Sequence, residues 1–190
     1  MMAKYETAML QNEQELARFI DILKGENVRT YLEIGSKFGG SLWRVANALP
    51  AASRIVSVDL PQGDGSFKDT LPHLQACAAR LCEIGYDAHL IQGDSTADDI
   101  VSAVAALGPF DACFIDANHT ELFVRKDWAN YGPLCRLVAF HDIGWLARPE
   151  PSKKMPIEVP KVWNEIKGDY RHEEIKLEAR DNGIGVLWRS

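Results

Sequence analysis

The sequence predicts an α/β fold: a parallel sheet covered by helices on both faces, with an antiparallel hairpin at its C-terminal end. Two observations carry this. Five short apolar or β-branched runs alternate with amphipathic stretches of helical period. After the last helix, two more strand-like runs flank Asp181-Asn182-Gly183, a turn that favours a hairpin.

Leu16, Phe19, Ile20 and Leu23 recur at helical spacing and predict an N-terminal helix that stops at Gly25. The first strand is Thr30 to Gly35. Residues 40–49 are helical in pattern and end at Pro50. Arg54 to Leu60 is the second strand, and Pro61 to Ser66 a loop rich in Gly and Asp. A helix over 67–84 closes at Gly85, a third strand spans 88–93, and a helix spans 97–107. Phe110 to Asp116 is the fourth strand, 120–130 a helix, and Arg136 to His141 the fifth strand. Prolines at 149, 151, 156 and 160 mark an extended surface segment. A helix near 161–167 then leads to the hairpin strands, 170–178 and 184–189.

The 190 residues fit one domain, 1–190, large enough to form a core without disulfides or structural zinc. Hydrophobic content of 46% and charged content of 25% exclude a mainly disordered chain. The net charge of −6 argues against a nucleic-acid or anionic-membrane partner. No apolar run is long enough to span a membrane, and the N-terminus lacks the pattern of a secretion signal. Cys77, Cys82, Cys113 and Cys135 form no C-x-x-C pair and read as buried reduced thiols. A cytoplasmic protein is expected.

In an open parallel sheet, ligands bind beyond the carboxyl ends of the strands. After the first strand comes Glu33-Ile-Gly35-Ser-Lys-Phe-Gly39-Gly40-Ser41. Gly35 permits a tight turn, and Gly39 and Gly40 are expected to let a ligand approach the start of a helix. Lys37 stands where a dinucleotide-binding loop has its second glycine, which argues against a nicotinamide cofactor. Asp59 ends the second strand, where a carboxylate can accept ribose hydroxyls. Asp94-Ser95 ends the third, near the place an adenine ring would occupy. Acids in register at one edge point to an adenosine-type ligand.

Glu33-x-Gly35-x-x-x-Gly39-x-Ser41, Asp59, Gly93-Asp94-Ser95 and Phe110 to Asp116 resemble the successive motifs of class I S-adenosylmethionine-dependent methyltransferases. The resemblance covers about residues 28–143, and the closing hairpin extends it. It is nearest to small O-methyltransferases of the catechol type and the sugar- or macrolide-modifying types. It implies a Rossmann-like seven-stranded, mostly parallel sheet of order 3-2-1-4-5-7-6. It also implies that Glu33, Gly35, Gly39 and Ser41 belong to a loop holding the methionine part of S-adenosylmethionine. By the same resemblance Asp59 binds the ribose, Asp94 and Ser95 the adenine, and Asp116 also borders the cofactor.

In that topology Asp116-Ala-Asn118-His119 and His141-Asp142 end neighbouring strands. Methylating a hydroxyl requires removing its proton and holding the oxygen in line with the methyl–sulfonium bond. A divalent cation does both, and Asp116 and Asp142 offer the hard oxygens that Mg2+ or another such cation takes. A catechol-type site carries Asn after the second Asp, where this chain has Ile143. Asn118 or water would then fill the place, with His141 as a second ligand, a supporting partner or just a strand-end residue. Asp116-x-x-His119 resembles metal-dependent sugar O-methyltransferases in which such a His is the base, a role suited to imidazole near neutral pH. The Lys that caffeoyl-type relatives carry nearby is absent.

Trp145, Arg148 and the segment to Pro160 fit either a flap over the acceptor or a plain surface connection. The activity implied is methyl transfer to a hydroxyl of a small molecule, with homo-oligomer formation left open. The competing class is a non-catalytic nucleotide-binding module acting as sensor or assembly partner, which would have no use for Asp116, His119 and Asp142.

Overall fold

The computed structural model describes residues 7–61, 70–144, 156–177 and 182–189. The rest of the Gly/Asp-rich loop after Pro61, residues 67–69, Trp145, Arg148 and Asp181 lie outside the described residues. Seven strands form one sheet: β1 (Thr30–Ile34), β2 (Arg54–Asp59), β3 (Asp87–Gln92), β4 (Phe110–Ile115), β5 (Cys135–His141), β6 (Arg171–Ile175) and β7 (Ile184–Trp188). Their order is β3-β2-β1-β4-β5-β7-β6, as the resemblance implied. The first five pair in parallel, and β7 pairs antiparallel to both β5 and β6.

The helices are α1 (Glu13–Gly25), α2 (Gly40–Ala48), α3 (Thr70–Glu83), α4 (Asp98–Ala105), α5 (Glu121–Tyr131) and α6 (Val159–Ile166). Asn12 caps α1 by accepting from the backbone amides of Gln14 and Glu15. Pro160 lies in the first turn of α6 rather than in the extended segment expected for it. That position requires no intrahelical N–H, so the ring is tolerated there.

Strand residues alternate between two cores, as the pleat dictates. On β4, Ala112 and Phe114 join the core beneath α1–α3, whereas Cys113 and Ile115 join the opposite core. On β5, Leu137 and Ala139 separate from Val138 and Phe140 in the same way. Each such Leu, Ile or Phe contributes roughly 1.5–3 kcal/mol by leaving water. Trp163 of α6 is fully buried over Gly185 of β7, where any side chain would strike its ring at 2.7 Å. Three cysteines are buried as expected, but Cys82 is exposed. It sits on the outer side of α3, away from the stripe of Leu74, Cys77 and Leu81 that faces the core.

This alternation also sets the site. Glu33 and His141 occupy strand positions facing the α1 side, so both are buried there instead of reaching solvent.

Candidate active site

The first turn is tied together from within. Gly35 has φ +89°, and a Cβ on it would meet the Asp116 carbonyl oxygen at 2.5 Å. The turn after β1 therefore lies directly against the end of β4. One Asp59 oxygen accepts the backbone amides of Ser36 (2.8 Å) and Lys37 (2.5 Å), binding the end of β2 to the turn. Burial raises the Asp59 pKa, and the backbone amides of Lys37, Leu60 and Ser36 act against that rise. Glu33 is fully buried, accepting from the Ser41 hydroxyl at 2.8 Å and the Tyr31 hydroxyl at 2.8 Å. Burial pushes its pKa up to about 7 against those hydrogen bonds.

Gly39 and Gly40 differ from expectation. The side-chain direction of Gly39 meets Cys77 at 2.9 Å, and that of Gly40 meets the Ala8 carbonyl at 2.1 Å. The missing side chains admit α3 and the N-terminal segment of this chain itself. At the end of β3, Asp94 is exposed and one of its oxygens accepts from the Thr96 amide and hydroxyl. Ser95 donates to Asp127 of α5 at 2.7 Å.

The ends of β4 and β5 bring four titratable groups together. His141 places Nδ1 3.1 Å from Asp116 and 3.2 Å from Asp142, both nearly buried. His119 places Nδ1 3.1 Å from the other Asp142 oxygen and is one-third exposed. Asp116, His119 and Asp142 each offer a ligand atom, all within 4.8 Å of one another. His141 is outside that trio and bridges its two carboxylates. The Asn118 carbonyl oxygen accepts from the Thr120 amide and hydroxyl. The His119 carbonyl accepts the Glu158 amide at 2.7 Å, which holds the loop after β4 to the segment before α6.

A methyltransferase-domain family model matches residues 32–143, more than half of the chain. The chain belongs to this methyltransferase family. No curated protein matches it in sequence. Among solved structures it is similar to an O-methyltransferase from Bacillus cereus in complex with S-adenosylhomocysteine, at 15% identity and TM-score 0.69, covering 96% of this chain and 84% of that one. It is also similar to an O-methyltransferase from Streptomyces achromogenes involved in tomaymycin synthesis, in complex with S-adenosylmethionine. There the identity is 16% and the TM-score 0.66, covering 96% of this chain and 82% of that one. A methyltransferase from Geobacter sulfurreducens matches at 15% identity and TM-score 0.61, covering 95% and 80%.

The candidate site contains three residues that the motifs did not mark. Gln11 donates to the second Asp116 oxygen at 2.5 Å, so the N-terminal segment reaches the carboxylates at the ends of β4 and β5. Glu15 is fully buried on α1, accepts the Gly183 amide at 3.2 Å, and acts electrostatically on His141. Burial alone would lower the His141 pKa, but Asp116, Asp142 and Glu15 raise it to about 9. Burial would likewise raise Asp116, yet His141, His119 and Gln11 hold it below the usual carboxylate value. Asp127 is the third. Each acid had a sequence signal: Glu15 precedes Leu16 and Phe19 on the buried face of α1, and Asp127 lies between Val124 and Tyr131 on that of α5.

Proposed function

We propose that this methyltransferase moves a methyl group from S-adenosylmethionine to a hydroxyl of a small molecule, with a divalent cation held by Asp116, His119 and Asp142. The observation that carries the reading is the convergence of two carboxylates and an imidazole nitrogen at the strand ends. Two oxygens and one nitrogen suit Mn2+ or a similar metal at least as well as Mg2+, because imidazole is a borderline ligand. A cation bound there supplies a Lewis acid that eases loss of the acceptor proton.

The chain's own residues do the rest. Asp59 keeps acceptor capacity for a ribose hydroxyl beyond its backbone amide bonds. Asp94 and Ser95 receive the adenine, and the Gly35–Ser41 turn receives the methionine part. Glu33 acts through Ser41, fixing the start of α2. His141 positions the two acids from behind, and Gln11 orients Asp116. Bonded to a cation through Nδ1, His119 would be a ligand; without that bond it is the group placed to take the hydroxyl proton.

The test is a methyl-transfer assay over phenols, glycosides and hydroxylated acids, with and without chelator. Activity is expected to vanish in chelator and return with Mg2+ or Mn2+, while S-adenosylhomocysteine affinity stays constant. His119→Ala should cost roughly 10²–10⁴-fold in rate in the base role. As a lost ligand, it should instead be rescued in part by excess metal. Full activity in chelator together with a silent His119→Ala would overturn both roles.

A further inference from the structure

We infer that Asp127 is a positioning residue for the base end of the nucleoside site: it orients the Ser95 hydroxyl as an acceptor matched to the 6-amino group of adenine. The inference rests on the adenine reading proposed above and assigns a role to a residue outside the motifs.

Asp127 has no exposed surface, although it carries a carboxylate on the core-facing stripe of α5. An apolar residue there would avoid the cost of burying a charge, so the carboxylate calls for a reason. Its one hydrogen bond among the described residues is to the hydroxyl of Ser95, at 2.7 Å, and its second oxygen has no partner there. One helical turn on, the Tyr131 hydroxyl donates to the Ser95 carbonyl at 2.5 Å. Two residues four apart on α5 thus grip Ser95 by side chain and backbone. Asp94 is separately held by Thr96 in the same turn.

The groups that face Asp127 are Asp94 from the turn after β3, Tyr131 from its own helix, and Cys113 from β4. None is a cation. Burial, with a smaller push from Asp94 and against the Ser95 bond, raises the Asp127 pKa to about 7. Ionised, Asp127 takes the Ser95 hydroxyl proton and leaves that oxygen's lone pairs for an incoming donor. Protonated, it donates to Ser95 itself, and the hydroxyl hydrogen turns away to face the ligand. The first state favours a 6-amino base, and the second a 6-oxo base.

Calorimetric titration of the full chain with S-adenosylhomocysteine and S-inosylhomocysteine at pH 6 and pH 8 tests this. The affinity ratio, adenosyl over inosyl, should rise roughly three- to tenfold between the two pH values, the effect of about one hydrogen bond. Asp127→Asn and Ser95→Ala should each make the ratio independent of pH. Tyr131→Phe should weaken both ligands alike and leave the pH trend in place. Should Asp127→Asn fail to fold, Ser95→Ala decides alone. A ratio independent of pH in the unmodified chain, or a trend that survives Ser95→Ala, overturns the inference while leaving the adenine reading intact. Failure of both ligands to bind overturns the nucleoside reading, and the inference with it.

Discussion

The two halves of the strand-end edge are built in different ways. At β1–β3, the strand-end carboxylates Asp59 and Asp94 accept backbone amides, while Glu33 and Ser95 are held by side chains. Asp59 accepts the amides of Ser36 and Lys37, Asp94 accepts that of Thr96, and neighbouring chain fills the space beside Gly39 and Gly40. At β4–β5, side chains meet side chains: His141 and Gln11 bond to Asp116, and His141 and His119 lie at ion-pair distance from Asp142. Asp142 also has φ +63°, a left-handed conformation that costs a non-glycine residue about 1–2 kcal/mol. Backbone bonds fix a shape to which a ligand can dock. Side-chain bonds keep charges close together that a reaction can redistribute. On the function proposed above, β1–β3 would be the binding half and β4–β5 the reactive half.

The largest effect expected from that division is on rate. Asp116→Asn and Asp142→Asn should each lower methyl transfer roughly 10³-fold, since several kcal/mol of charge stabilisation goes with the ligand. S-adenosylhomocysteine affinity should stay nearly normal, and excess metal should restore part of the rate. A calorimetric titration in which either variant loses nucleoside binding as well would break the division into halves.

Gly35 is where the halves meet, because its missing side chain admits the backbone of Asp116. Gly35→Ala adds a left-handed penalty to a backbone clash, so a stability loss of about 3 kcal/mol is expected by urea unfolding. Both nucleoside affinity and rate should fall in this variant. Loss of one alone would show that the halves are mechanically separate. Ser41→Ala is milder. It leaves a buried Glu33 oxygen without its donor, for about 1–2 kcal/mol, and should weaken nucleoside binding without changing the metal response.

What the sequence disclosed follows the same line. Strands and helices were legible because each buries one face at a fixed period, and Ala112 to Ile115 divide between the two cores as alternation requires. Asp116, His119, His141 and Asp142 were legible because they follow directly on strands that end at one edge. Their division of labour was not: whether His119 or His141 joins the two acids depends on which face of β5 the ring occupies, and the Asn118 carbonyl oxygen accepts from Thr120. Gln11 was invisible because its bond to Asp116 spans 105 positions and no local pattern marks it. Glu15 and Asp127 could have been found as acids interrupting apolar stripes, but such a stripe does not say what the acid faces.

The most gradual effect separates the halves by pH. Burial raises Glu33, in the binding half, to about 7 from an ordinary 4.5, despite the bonds from Tyr31 and Ser41. Between those values the folded chain keeps a proton that the unfolded chain has lost, so stability falls as pH rises through that window. Asp127, raised to about 7 from 3.8 mainly by burial, leans the same way over nearly the same range. His141, in the reactive half, is raised from 6.5 to about 9 because Asp116, Asp142 and Glu15 outweigh its burial. Its contribution is complete below pH 6.5 and is lost as pH climbs to about 9. No single group can tilt the curve by more than about 1.4 kcal/mol per pH unit. Urea unfolding in chelator from pH 5 to pH 9 should therefore show a continuous decline. Glu33→Gln, which keeps an acceptor for Ser41, should flatten part of the decline below pH 7 and none above it. His141→Gln, which keeps a donor for Asp116, should flatten the decline above pH 7 and leave the lower part. If Glu33→Gln instead removed the upper part, charge would be shared across Gly35 and the edge would be a single electrostatic unit.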